Sequence, residues 1–167
     1  MGSGMDNGVD VGPLIDEKAL SSALSFIDEA VAAGARVLVG GKRYGEEGNF
    51  LVPTLLTDVP EDVRCHKEEI FAPIAAMYRF DNEQEIIDKA NDTEFGLAAY
   101  AFTTDLNRAF RVSEALEAGT VGINDPIPST SNCPFGGFKQ SGWGRELGSE
   151  GIDAYLETKH ISIAGIG

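Results

Sequence analysis

Cysteine and histidine are scarce in this chain: Cys65, Cys133, His66 and His160 are the whole supply in 167 residues. Two thiols are too few for a disulfide framework, and no metal-ligand spacing links the four residues, which argues against zinc chemistry. Basic residues are outnumbered, 13 against 27 acidic ones, for a formal charge of −14. So acidic a chain repels phosphate backbones and anionic lipid, so neither nucleic acid nor a membrane surface is expected as a partner. Long apolar runs are also missing. None approaches the roughly 20 residues that span a bilayer, no secretory leader is recognisable, and a cytoplasmic protein is expected. Two glycine signatures of nucleotide binding fail as well. Gly41-Lys42 is followed by Arg43 where a phosphate loop needs Ser or Thr. Gly142-Trp143-Gly144 has Leu147 where the dinucleotide fingerprint needs its third glycine, and no strand runs directly into it.

What is present is an ordinary globular composition, 43% hydrophobic and 24% charged, long enough for one real core. The most distinctive stretch runs from Cys133 to Glu146. Six glycines fall between residues 136 and 151, too costly in backbone entropy for a helix or strand. The stretch reads as a shaped loop whose backbone passes close to something, with Phe135, Phe138 and Trp143 as apolar surface and Arg145 beside Glu146.

Taken in order, Met1 to Met5 reads as an expression scar followed by a second start, and residues 1–11 as scar and polar lead. Asp16 can cap a helix carrying Leu20, Ala23, Leu24, Ile27, Ala30 and Val31, ending at Gly34. Arg36 to Val39 reads as a strand closed by Gly40-Gly41, and Phe50 to Thr57 as extended, with Pro53 suggesting an edge position. Asp58 to Glu69 reads as loop and turn. A strand is expected over Ile74 to Tyr78, then a helix with Ile86, Ile87 and Ala90 capped by Asp81 with Gln84 in a capping box. Leu97 to Phe102 is the next strand. Asp105 caps a helix stopped by Gly119, Thr120 to Asn124 is a further strand, and Ile152, Tyr155 and Leu156 suggest a short helix.

Alternating strands and helices imply right-handed crossovers, hence an α/β fold with a mostly parallel sheet covered by helices. Ligands of such sheets bind beyond the carboxyl ends of strands, where Asn124 and its following loop stand. His160 to Ala164 alternates like a terminal strand. Its open edge would pair with another chain or with a part of this protein beyond the chain.

Two ordered stretches carry a family resemblance. Lys67-Glu68-Glu69-Ile70-Phe71-Ala72-Pro73 resembles the Glu-Glu-Ile-Phe-Gly-Pro signature of NAD(P)-dependent aldehyde dehydrogenases, with Ala72 where Gly is usual. Pro134 to Glu146 is similar to that family's C-terminal motif. Gly12-Pro13-Leu14-Ile15-Asp16, Gly96-Leu97-Ala98-Ala99 and Ala118-Gly119-Thr120-Val121 extend the resemblance over nearly the whole chain. It implies the C-terminal part of an aldehyde dehydrogenase catalytic domain over 12–147, with a C-terminal helix and oligomerisation strand over 148–167. Glu69 would accept hydrogen bonds from the nicotinamide ribose, and Phe71 would pack against the nicotinamide end of NAD or NADP. Phe135 looks like the aromatic wall of the aldehyde pocket, with Ser129, Cys133 and Asn124 beside it. Glu146 resembles a proton-relay carboxylate, and Arg145, Glu157 and Lys159 resemble subunit-interface positions of a homodimer or homotetramer. Glu68 would be solvated.

The family's nucleophilic cysteine, which forms a thiohemiacetal and then a thioester, its general-base glutamate and its cofactor domain would all lie upstream. The chain alone is therefore expected to be inactive, with apolar surface exposed where the remainder would dock. Residues 127–133 place small hydroxyls where relatives with apolar substrates carry an aromatic, which suits a carboxylate-bearing semialdehyde. An amino-aldehyde is the competitor. Two other functions compete with this one: a self-contained cysteine enzyme using Cys65 or Cys133, and a non-catalytic interaction module. Cys65-His66 on an extended segment would point to opposite faces, against the former.

Overall fold

In the computed structural model, which describes residues 1–167, Asp16 starts the first helix, accepting the Ala19 N–H on its carboxylate at 2.7 Å. Helix α1 (Glu17–Ala32) ends in a Schellman turn. Gly34 takes the left-handed φ of 113° that a side chain would resist, and the Ala35 N–H donates back to the Ala30 carbonyl at 2.9 Å. The apolar stripe of the helix, Leu20, Ala23, Phe26, Ile27 and Ala30, is buried. It packs with Leu51, Leu56, Val59 and Val63 into one core cluster. Leu20 and Leu56 are wholly enclosed, worth about 2 kcal/mol each in area removed from water.

Strand β1 (Arg36–Val39) runs antiparallel to β2 (Thr54–Thr57), and β2 runs parallel to β3 (Ile74–Ala76). Gly40 and Gly41, both at positive φ, turn the chain between the first two. The edge position expected from Pro53 is corrected: β2 is the central strand. Pro53 stands one residue before the strand, so its missing N–H is never asked of the ladder. Within the segment expected to be loop lies a single helical turn, α2 (Arg64–Lys67).

The chain divides into two compact units, Met1–Phe80 and Asp81–Gly167. In the second, α3 (Glu83–Asn91) is capped by Asn82 rather than Asp81: Asn82 Oδ1 accepts the Glu85 N–H at 3.0 Å. The box is shifted by one residue because Glu85, not Gln84, reaches back to the Asp81 N–H at 2.8 Å. Strands β4 (Phe95–Gly96) and β5 (Ala98–Ala101) follow, then α4 (Leu106–Ala115) with the expected cap at Asp105, and β6 (Thr120–Ile123). β5 and β6 are parallel, in register from Ala98 with Thr120 to Ala101 with Ile123. This β5-α4-β6 crossover is the α/β element legible in the sequence. β7 (Phe138–Lys139) pairs antiparallel with β4, and a 3₁₀ helix covers Glu150–Tyr155.

The expected sheet is thus present as three pieces, parallel at β2–β3 and β5–β6. The strand expected over residues 160–164 is not formed within the chain itself, where it has no backbone to pair with. Residues 156–167 form no ladder and are exposed throughout, since an alternating pattern makes a strand only where a backbone partner is present. Apolar surface is left open as expected: α4 buries none of its residues, and Phe102, Leu106 and Phe110 are exposed. No helix is long and apolar enough to cross a membrane.

Candidate functional site

The site residues of the first unit stand on the short lead into β3. Tight turns shape this lead: the Ala72 N–H donates to the Ile70 carbonyl at 2.9 Å and the Ile74 N–H to the Ala72 carbonyl at 2.7 Å. The Pro73 carbonyl accepts the Thr54 N–H at 2.8 Å, anchoring the segment to β2. On this anchored backbone Phe71 is 87% exposed, so it is not a core phenylalanine. Glu69 is exposed too, and its carboxylate has neither a hydrogen-bond nor an ion-pair partner. Glu68 is exposed as expected, and at the surface Arg64 also pairs with it through Nε at 3.2 Å and Nη2 at 3.4 Å. A free carboxylate and an uncovered ring two residues apart, on rigid backbone, are fitted to accept a diol and to face a flat heterocycle.

Cys65 and His66 lie on the helical turn α2, not on an extended segment. The thiol is buried, and burial pushes its pKa up, opposed by a neighbouring Tyr78 hydroxyl. Tyr78 is raised in turn, first by burial and then by Cys65. His66 packs its ring edge-on against Tyr78 at 5.0 Å. A thiol held protonated in an apolar setting is no nucleophile.

The second unit builds a hollow of about 600 Å³ around the glycine-rich stretch, lined among others by Leu97, Phe135, Trp143, Arg145, Glu146 and Tyr155. Phe135 and Glu146 form an isolated antiparallel bridge, each N–H donating to the other's carbonyl at 2.7 Å. The bridge closes residues 135–146 into a loop and half-buries the Phe135 ring, while the Glu146 carboxylate stays exposed and unpaired. What the glycines approach is now visible. A Cβ on Gly119 would fall on the Gly136 carbonyl oxygen, and one on Gly136 would meet the Gly144 carbonyl at 2.5 Å. These positions are glycine because backbone lies against backbone.

Arg145, expected at a subunit interface, is held by its own loop. Its Nη1 donates to the carbonyls of Gly137 at 3.1 Å and Gly144 at 2.7 Å, and its guanidinium lies over the Phe138 ring. Glu157 and Lys159 are exposed and unpaired. Asn124 sits at the carboxyl end of β6 as expected, at a left-handed φ of 55°. Its amide pairs with the Thr103 backbone through one N–H and one lone pair, which shapes the strand end and leaves the second N–H and the second lone pair exposed. Ser129 and Cys133 are exposed on the loop between β6 and β7, where the Cys133 N–H donates to the Thr130 carbonyl at 3.2 Å.

Lys139 and Asn91 escaped the sequence reading. Lys139 is non-glycine at φ 51°, with its ammonium bound to the Asn91 carbonyl. The Asn91 amide ties the Ala115 carbonyl to the Glu117 N–H. Neither carries a sequence signal, because their partners lie far along the chain. No group of three His, Cys, Asp or Glu could hold a metal ion.

Residues 1–161 match the family model described as Aldehyde dehydrogenase family. The chain is 53% identical over 163 residues to an NADP(+) succinate-semialdehyde dehydrogenase of Escherichia coli strain K12, covering 98% of this chain and 34% of that protein. It is 50% identical over 164 residues to a glutarate-semialdehyde dehydrogenase of Pseudomonas putida, again covering 98% of this chain and 34% of the relative. Among solved structures, an Escherichia coli NADP-dependent enzyme superposes with a TM-score of 0.91 at 54% identity, over 93% of this chain and 32% of that one. The chain thus spans about a third of the length of the curated relatives it matches.

Proposed function

The chain belongs to the aldehyde dehydrogenase family, and from that premise we propose that it supplies the nicotinamide-end contacts and the aldehyde-pocket wall of a semialdehyde dehydrogenase. The observation that carries this reading is the uncovered Phe71 ring beside the partnerless Glu69 carboxylate. In the first unit Glu69 would accept hydrogen bonds from the ribose hydroxyls of NAD or NADP, and Phe71 would restrict the nicotinamide end. The cofactor, when bound, takes up the hydride of the oxidation. In the second unit Phe135 excludes water from one side of the aldehyde, and the hydroxyls of Ser129, Thr130 and Ser131 favour a substrate whose far end is a carboxylate. Names of relatives at 53% and 50% identity support that substrate class. Glu146 is free to carry a proton at its carboxylate.

Neither cysteine of this chain suits the nucleophile's part. Cys65 is buried with its thiol held protonated, and neither thiol hydrogen-bonds a histidine. The chain by itself accordingly does not oxidise aldehydes. Contacts between subunits are assigned to Arg145, Glu157, Lys159 and the exposed segment after them, with Arg145 held in place by the carbonyls of its own loop. The test is NAD(P)H formation with a panel of simple, semi- and amino-aldehydes. The chain alone gives no turnover, and turnover appears, semialdehydes first, when the upstream part of a matching dehydrogenase is supplied. Turnover by the chain alone would refute this account of the active site. In the reconstituted enzyme Glu69→Gln and Phe71→Ala raise the KM for the cofactor more than that for the aldehyde.

A further inference from the structure

We infer that Lys139 is a positioning residue for the aldehyde-side wall, its ammonium caged by three oxygens so that the loop carrying Phe135 and Glu146 has one geometry. Only the term aldehyde-side rests on the function proposed above. The cage itself stands on distances: Lys139 Nζ donates to the carbonyls of Asn91 at 2.8 Å and Thr93 at 3.2 Å, and meets Glu117 Oε2 at 2.5 Å. Three acceptors match the three donors of an ammonium. The cage is itself held, because the Asn91 amide bonds the Ala115 carbonyl and the Glu117 N–H.

Two features show that the loop needs such a fastening. β7 offers only two residues to β4, too short a ladder to specify its own register. Lys139 also adopts a left-handed φ of 51°, unfavourable for a residue with a Cβ, and such conformations persist where the surroundings hold them. On either side of Lys139 the backbone continues into the contacts that place the wall. The Gln140 N–H donates to the Glu94 carbonyl at 2.8 Å, Ser141 Oγ accepts the Gly96 N–H at 3.0 Å, and Gly136 lies against Gly119.

The experiment is residue-resolved amide hydrogen exchange on the whole chain, comparing wild type with Lys139→Met and Lys139→Gly. The tether predicts roughly tenfold faster exchange at the bridged amides of Phe135 and Glu146 in both variants, with no change at the β5–β6 ladder. The glycine variant matters because it relieves the backbone strain: if it exchanges like wild type, φ and not the ammonium governs, and the proposal falls. Methylammonium chloride slows exchange in Lys139→Met, whereas sodium chloride at equal ionic strength does not. Equal action of the two salts, unchanged exchange, or a uniform rise that includes β6 each overturn the proposal. None of these readouts depends on aldehyde chemistry. In the reconstituted enzyme Lys139→Met raises the aldehyde KM more than it lowers kcat. Altered exchange with an unchanged KM would keep the tether and remove Phe135 from the aldehyde site.

Discussion

Asn124 and Thr103 hold each other through a complete amide pair: the Thr103 N–H donates to Asn124 Oδ1 at 2.8 Å, and Asn124 Nδ2 donates to the Thr103 carbonyl at 2.7 Å. The pair locks the carboxyl end of β6 to the connection between β5 and α4. Asn124→Ala loses both bonds and puts at φ 55° a residue that tolerates the left-handed region less well than Asn, a loss of about 2 kcal/mol in denaturant unfolding. Asn124→Gly keeps the backbone and loses about half as much. Equal losses in the two variants would mean that the backbone conformation contributes nothing.

Gly119 faces the Gly136 carbonyl so closely that any side chain must push the two segments apart. Gly119→Ala therefore destabilises the second unit by about 3 kcal/mol, read as a fall in Tm. Gly142→Ala has open space for its methyl group but a φ of 111°, so it shows backbone strain of about 1 kcal/mol and no steric penalty.

Acidification tests the tie between α3 and α4. Glu83 accepts from Arg111 and Arg108, and these hydrogen bonds hold its carboxyl down to about 2 from an ordinary 4.5. A depressed carboxylate contributes stability that is fully present above the unfolded value and is lost as pH falls through the folded one. Stability from this contact is therefore lost between pH 4.5 and about 2. Glu83→Gln is less stable than wild type above that window, and the difference closes towards its acid end, followed by the unfolding midpoint at each pH.

Thiol counting separates the two cysteines. Cys133 is exposed and Cys65 is buried with its thiol pushed up, so an aromatic disulfide reagent titrates one thiol in the native chain and two after unfolding. Cys133→Ser abolishes the native reaction. Prompt reaction of both thiols before unfolding would contradict the burial of Cys65.

Features settled between near neighbours in the chain were readable from residue order. The Asp16 and Asp105 caps and the stop at Gly34 each rest on contacts within about five residues, where residue type alone sets the hydrogen bonds. The β5-α4-β6 crossover was legible from the same local periods, and the family from two motifs in order. The partner of each long-range contact was settled only by the tertiary structure. That Gly136 meets Gly119, that the Asn124 amide pairs with Thr103, and that Lys139 enters a cage formed by Asn91, Thr93 and Glu117 all join residues that the sequence keeps apart. Pro53 beside a central strand and the unpaired segment after Tyr155 have the same cause. Whether an extended stretch is edge, centre or no strand at all depends on which backbone comes to lie next to it, and a pattern of side chains does not encode that.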